Sequence, residues 1–484
     1  MRKRIAYYFL IYLQLILILL VGAPLQYLQA SITNPRNQTV NFGYDELSRR
    51  TLLTHPNGIA TSYSYDNASH LLNLKHLNSS TLEPLSESTY TYNKVGLRTS
   101  LTDFIKHNDG STDSGLHEYG YDQINRLLLA THPLNQQTFN PSETFDYDPV
   151  GNRLSGPNGL NITYDNGNRI QEDATYTYTF DANGNLVTRT TKSDQRTTTY
   201  TYDIENQLTR IDFPDSTFAS YRYDGLGRRF EKNVNGVITR YVYDNEDILL
   251  EYDGSNNLLA RYTHGIGIDE PLIMERGGQS YFYGTDGLGS ISQLTDSTGI
   301  VIQSYIYNSS GKIVKQTGSV VNPYAYTARE YDTESGLYYY RARYYDASIG
   351  RFLQEDILQG YLTSPQSQNL YLYCLNLPTV LRDPFGTALV VFGFEIWERI
   401  DVVEPIPIET IGRFGTYDTN PLIRPEWIPQ TLPKLQIPPP RLPAPPGTDI
   451  LPPYWWFPRE HPEPPHPSEC EEKKERPYYS HYYI

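Results

Sequence analysis

From about residue 40 to residue 315 the chain repeats one pattern: two aromatic residues separated by a single position, then a turn-forming residue. Tyr63-Ser64-Tyr65-Asp66, Tyr119-Gly120-Tyr121-Asp122 and Phe145-Asp146-Tyr147-Asp148 are early copies. Tyr200-Thr201-Tyr202-Asp203, Tyr221-Arg222-Tyr223-Asp224 and Tyr241-Val242-Tyr243-Asp244 follow about 20 residues apart, within the period range of repeat architectures. Tyr178-Thr179-Phe180-Asp181 carries Phe in the pair, and Tyr90-Thr91-Tyr92-Asn93 and Tyr305-Ile306-Tyr307-Asn308 end on Asn. Aromatics at i and i+2 share one face of a strand. Asp or Asn then starts a turn by bonding its own backbone. Gly151, Gly167, Gly184 and Gly225 are placed to take the positive-φ turn position. Arg153, Arg169 or Leu186 opens the returning strand. Each unit therefore predicts a β-hairpin, marginal alone in water but stable in a row that buries a continuous Tyr face.

Composition supports an all-β fold. The 484 residues hold 44 Tyr against 16 Phe, with 34 Gly and 34 Pro for turns. Tyr suits a pleated, half-buried surface because the ring packs while the hydroxyl stays wet. The formal net charge of −15 repels phosphate backbones, so nucleic acid is not an expected partner. Cys374 and Cys470 leave room for at most one bridge; Cys374 is expected as a small buried residue and Cys470 as an exposed thiol.

The two ends differ from the middle. Arg2, Lys3 and Arg4 precede a nearly all-apolar stretch from Ile5 to Val21, and Leu28-Gln29-Ala30 approximates a cleavage site. Residues 1–30 read as a secretory signal peptide, with an uncleaved anchor as the alternative because the apolar run only just reaches across a bilayer. No later segment is expected to span a membrane. The chain is therefore expected to be secreted or at the cell surface. Residues 388–484 turn Pro-rich, with Ile437-Pro438-Pro439-Pro440 at the extreme, which favours extended polyproline II over a packed core. His461, His466 and Cys470 are weighed as metal ligands and set aside for that reason; no metal and no cofactor is expected.

A more specific stretch follows the repeats. Asp286-Gly287-Leu288-Gly289-Ser290 precedes Tyr324-Ala325-Tyr326-Thr327-Ala328-Arg329-Glu330-Tyr331-Asp332. Gly336-Leu337-Tyr338-Tyr339-Tyr340-Arg341-Ala342-Arg343-Tyr344-Tyr345-Asp346 comes next. Gly350-Arg351-Phe352-Leu353-Gln354-Glu355-Asp356, Asn369-Leu370-Tyr371-Leu372-Tyr373 and Asp383-Pro384-Phe385-Gly386 complete it. With the Tyr-Asp hairpins, this stretch resembles the Rhs (YD-repeat) family and its repeat-associated core, related to the C subunits of insecticidal toxin complexes and to teneurins. The resemblance covers about residues 40–387. It implies a spiralling sheet closing as a shell, with repeats over 31–315, the core over 316–387 and a variable segment over 388–484.

In several relatives the core is a self-cleaving aspartyl protease. By position, the resemblance assigns Asp356 and Asp383 as the carboxylate pair, Arg343 as the supporting cation, and Thr387–Ala388 as the bond cut. Two close carboxylates cannot both ionise, so one keeps a proton while the other activates water. An arginine orients a carboxylate or polarises the carbonyl. The sequence departs from the family in Asp356-Ile357, where Pro or Thr usually follows Asp, and in Thr387, where an apolar residue is usual. The plainer alternative makes Asp383-Pro384-Phe385-Gly386 a turn, Asp356 a turn cap and Arg343 a partner of Asp346.

About 24 strands at ~4.8 Å enclose a ring with roughly 26 Å of free width. A compact tail of this length needs ~32 Å. A small or partly open shell is expected. Two functions compete: an exported shell that carries its own C-terminal segment and frees it by self-cleavage, and a surface structural protein that binds a glycan or protein without cleavage. No triad or metal set for an enzyme acting on a separate substrate is visible.

Overall fold

The computed structural model describes residues 31–391 apart from 158, 361–364 and 388–389. Residues 1–30, expected as a signal peptide, and the Pro-rich residues 392–484, with His461, His466 and Cys470, lie outside the described residues. The repeats are antiparallel strands, each paired with its neighbour in sequence. They form a ten-stranded sheet over 31–144, a three-stranded sheet over 146–160 and a sixteen-stranded sheet over 163–317. None of these sheets closes on itself as a barrel. The fold is all-β, a curving ribbon of hairpins.

The aromatic pairs show why the ribbon holds. The first ring of each pair points inward: Tyr90, Phe145, Tyr178, Tyr200, Tyr221, Tyr241 and Tyr305 are buried. In most pairs the second ring reaches back one repeat; Phe180 has no hydroxyl, and Tyr202 Oη makes no hydrogen bond among the described residues. The hydroxyl of Tyr65 donates to the carbonyl of Arg50 at 2.8 Å, Tyr92 to Leu71 at 2.8 Å, Tyr121 to Arg98 at 2.6 Å, Tyr147 to Leu127 at 2.7 Å and Tyr223 to Leu208 at 2.7 Å. These hydroxyls are therefore not left to water, as the sequence leads one to expect; they tie their hairpins to the ones before. His264 takes the same place through Nε2 and the carbonyl of Ile248, 2.9 Å away.

Most of the turns are built by their Asp; the Asp244 turn is a two-residue loop with Asn245 at positive φ. Oδ1 of Asp45 accepts the backbone N–H groups of Leu47 and Arg49 at 3.0 and 2.9 Å, and Oδ2 takes the Arg49 guanidinium at 2.7 Å. Arg49 then donates to the carbonyl of Asp66 in the next turn at 2.9 Å. Asp122 and Arg126 repeat the arrangement, with Arg126 reaching the carbonyl of Asp148 at 2.7 Å. In these Asp-built turns the residue three after the Asp takes positive φ, and the strand register shifts just beyond the turn. Gly151 and Gly184 fill that position as expected, but Gly167 and Gly225 do not. Asn168 (φ 62°) and Gly227 (φ 79°) do so in their turns, because the geometry counts from the Asp and not from the nearest glycine.

The ribbon curves until its two ends face each other. Val40, Phe42 and Leu53 pack on Leu272, Ile273 and Phe282. His55 and His76 bond the carbonyls of Tyr283 and Thr285 at 3.1 and 2.8 Å, and Gln293 donates to the carbonyls of Leu85 and Lys106 at 2.9 and 2.7 Å. The core segment fills the remaining interior with a four-stranded sheet, Glu330–Asp332, Leu337–Tyr340, Arg343–Asp346 and Arg351–Phe352. Tyr339 and Tyr344 pack against Tyr200, Leu208 and Tyr221 of the repeats. Tyr338, Tyr340 and Tyr345 pack with Phe352, Tyr373 and Cys374, which is buried as expected.

Candidate functional site

The core hairpin sets the site. Tyr340 pairs with Arg343 across a two-residue loop, so Arg343 starts the returning strand. Its side chain turns inward and lies over the Phe352 ring, 3.7 Å from the ring centre. There it meets both expected carboxylates. Arg343 Nη2 is 2.7 Å from Asp356 Oδ2 and 3.5 Å from Asp383 Oδ2. The side chains of Arg343 and Asp383 are 3% and 2% exposed, and that of Asp356 is 15% exposed, so water reaches one member of the pair.

Backbone fixes the rest. The carbonyl of Leu370 accepts from Arg343 Nη1 at 2.7 Å and from the Asp356 N–H at 3.0 Å, locking cation and carboxylate to one point. Asp356 also caps a turn, accepting the Leu358 N–H at 2.9 Å. Asp383 opens the Asp383-Pro384-Phe385-Gly386 turn, and its Oδ1 accepts the Thr387 N–H at 3.0 Å. Arg343 Nε donates to the Gly386 carbonyl. The Gly386–Thr387 peptide is thus held on both sides, its oxygen by Arg343 and its N–H by Asp383. The next bond, Thr387–Ala388, runs into Ala388, which lies outside the described residues.

Burial pushes the Asp356 carboxyl above its usual range, against the pull of Arg343 and the Leu358 N–H. Burial also lowers Arg343, against the pull first of Asp356 and then of Asp383. Such an arrangement can hold a proton on one carboxyl while the other stays ionised against the guanidinium. The pairing of Arg343 with Asp346 does not form; Asp346 instead takes Arg189, at 3.2 Å. The turn and cap roles do exist, alongside the contacts with Arg343.

Three contributors had no place in the expected set. Leu370 acts through its carbonyl, which no side-chain motif reveals. Gln354 accepts the Tyr344 N–H at 3.0 Å and steadies the strand behind Arg343. Arg341 bonds the Pro384 carbonyl; it is visible in the sequence as the first arginine of Arg341-Ala342-Arg343. Among the described residues, no group of three or more His, Cys, Asp or Glu is arranged to hold a metal, and no helix is long and apolar enough to cross a membrane.

Comparison with known proteins follows the same lines. The sequence pattern of the teneurin YD-shell family matches residues 105–379. The tRNA nuclease WapA of Bacillus subtilis is 31% identical over 368 residues, covering 72% of this chain and 14% of the relative. The double-stranded DNA deaminase toxin A of Burkholderia cenocepacia is 25% identical over 338 residues, covering 62% of this chain and 22% of the relative. Among solved structures, that of TcdB2-TccC3-Cdc42 shares the fold with a TM-score of 0.60 at 22% identity, over 74% of this chain and 20% of that one. The chain thus spans a small fraction of the length of the proteins it matches.

Proposed function

The chain belongs to the teneurin YD-shell family, and from that premise we propose that it is a scaffold that carries the residues beyond 387 as a passenger and frees them by one intramolecular cut at Thr387–Ala388. Asp356 and Asp383 act as the carboxylate pair. Water adds to the Thr387 carbonyl carbon, the bond to the Ala388 nitrogen breaks, and that nitrogen takes up a proton. Arg343 holds the two carboxylates together and fixes the peptide ahead of the cut. An intramolecular substrate gives this step a large effective molarity, so a site with little else in it suffices.

The observation that carries the proposal is the convergence at Arg343. One guanidinium nitrogen contacts both carboxylates, and Nε of the same side chain holds the carbonyl of Gly386. The relatives named a tRNA nuclease and a DNA deaminase toxin favour a passenger in the C-terminal position, here residues 388–484. The same proposal reads residues 1–30 as the signal for export of the scaffold. The test is expression of the full chain beside Asp356→Asn and Asp383→Asn. The parent is expected to run as two fragments and both variants as one. A parent that stays whole under native conditions rules the proposal out.

A further inference from the structure

Arg341 stands in the wrong place for an arginine. It is the first residue of the two-residue loop between Tyr340 and Arg343, and its φ is +58°. A loop of that kind takes glycine at that position, because a Cβ there is strained. Such strain persists where the surroundings hold the residue in place.

Here they do. The Arg341 side chain is 10% exposed, and it lies between two parts of the fold. On one side its Nη atoms meet Asp269 at 2.8 and 3.3 Å and the Glu246 carbonyl at 3.2 Å. Asp269 is itself fixed by Arg329, which donates to the Tyr339 carbonyl at 2.9 Å. On the other side Arg341 Nη1 donates to the Pro384 carbonyl, and its guanidinium lies 5.7 Å from the centre of the Phe385 ring. The loop backbone adds the Ala342 N–H to the Phe385 carbonyl at 3.2 Å. A Cβ on Gly386 would fall 2.3 Å from the Tyr340 carbonyl, so the turn is docked as closely as backbone allows.

We propose that Arg341 is a positioning residue for the cut. It ties the Asp383–Gly386 turn to the repeat wall at Asp269 and so keeps Asp383 and Gly386 in register with Arg343. The inference rests on the self-cleavage proposed above, and it adds a residue that touches neither the carboxylate pair nor the bond broken. A planar fork that spans Asp269 and a carbonyl is specific to arginine; lysine keeps the charge but offers one point of contact.

The test uses the full chain made by cell-free synthesis and sampled over time, as parent, Arg341→Lys and Arg341→Gly. Displacing the turn by about an ångström is expected to slow cutting by on the order of 10- to 100-fold. Arg341→Gly is expected to be slowest and Arg341→Lys intermediate. In both, cutting should still run to completion, and the uncut chain should resist protease as Asp356→Asn does. Slow and complete cutting of protease-resistant chain is the mark of a misplaced turn. The inference is overturned by cutting at the parent's rate, or by a parent-like rate on a reduced fraction with the remainder protease-sensitive, which is a loss of folding. A parent that never cuts ends the underlying function; a parent that cuts beside an unaffected Arg341→Gly ends only this inference.

Discussion

Two turns in the molecule have almost the same sequence. Asp148-Pro149-Val150-Gly151 lies among the repeats, and Asp383-Pro384-Phe385-Gly386 closes the core. Their backbones agree as well. In each the glycine N–H points to the Asp carbonyl, at 3.1 and 3.4 Å, and Oδ1 accepts the N–H four residues on, at 2.8 and 3.0 Å. They part at Oδ2. Asp148 spends it on its own turn, on the side-chain amide of Asn152 at 2.8 Å. Asp383 turns it inward to Arg343, which also holds Asp356. The turn is therefore a common part of the ribbon, and what makes one copy a candidate for chemistry is the cation and second carboxylate brought beneath it.

That contrast extends to the charges of the two regions. The turn charges of the repeats pair locally, four residues apart and partly in water, as in Asp45–Arg49 and Asp224–Arg228. Core charges pair over long separations and out of water. Arg229 meets Asp332 and Glu330 with all three side chains at 4% exposure or less. Exposed pairs contribute little, whereas leaving a buried charge without its partner is costly.

The sharpest break in the comparison is Asp383→Asn against Asp148→Asn. The first should slow cutting by about a thousandfold, in line with the loss of an acid–base group, and the second should leave the cutting rate unchanged on a gel time course. Next comes Asp332→Ala, which removes one of the two carboxylates that Arg229 is buried against. It should lower stability by about 3–5 kcal/mol by urea unfolding in an uncut Asp356→Asn background. Tyr147→Phe removes one hydroxyl bond between neighbouring repeats and should cost about 1 kcal/mol by the same measurement. Arg228→Gln breaks a partly solvated turn pair and should cost about 0.5 kcal/mol.

Titration sharpens the contrast through its sign. Asp45, Asp165 and Asp224 lie below the usual carboxylate range: burial pulls them up, but backbone N–H groups and their arginines outweigh it. Their stabilisation is complete above the ordinary carboxylate value and is lost as pH falls through the lowered one. Asp356 is raised, so its ionisation subtracts stability as pH climbs from the ordinary value to the raised one. Across about pH 3 to 6, Asp224→Asn should flatten the acid limb of the urea midpoint, and Asp356→Asn should remove a decline at the upper end.

The sequence made the repeats legible because their information is local. Tyr-x-Tyr-Asp states a strand face and a turn within four residues, and the hairpins follow. It did not show where the second hydroxyl goes, because its acceptor is a backbone carbonyl one repeat earlier, as with Tyr121 and Arg98. Nor did it show that Phe42 would meet Phe282, since the meeting depends on curvature summed over more than twenty strands. At the site, Arg343, Asp356 and Asp383 were readable only through resemblance to a family; their spacing alone fits a capped turn equally well. Arg341 went unmarked because its importance lies in a positive φ and a partner at Asp269, neither of which a pattern of residue types records.

The most direct test is the intact mass and N-terminal sequence of the purified protein. The account predicts two polypeptides that meet at a single boundary, one ending at Thr387 and the other beginning at Ala388, and one unbroken polypeptide when Asp356 is replaced by Asn. A parent protein of undivided mass, indistinguishable from that variant, would contradict it.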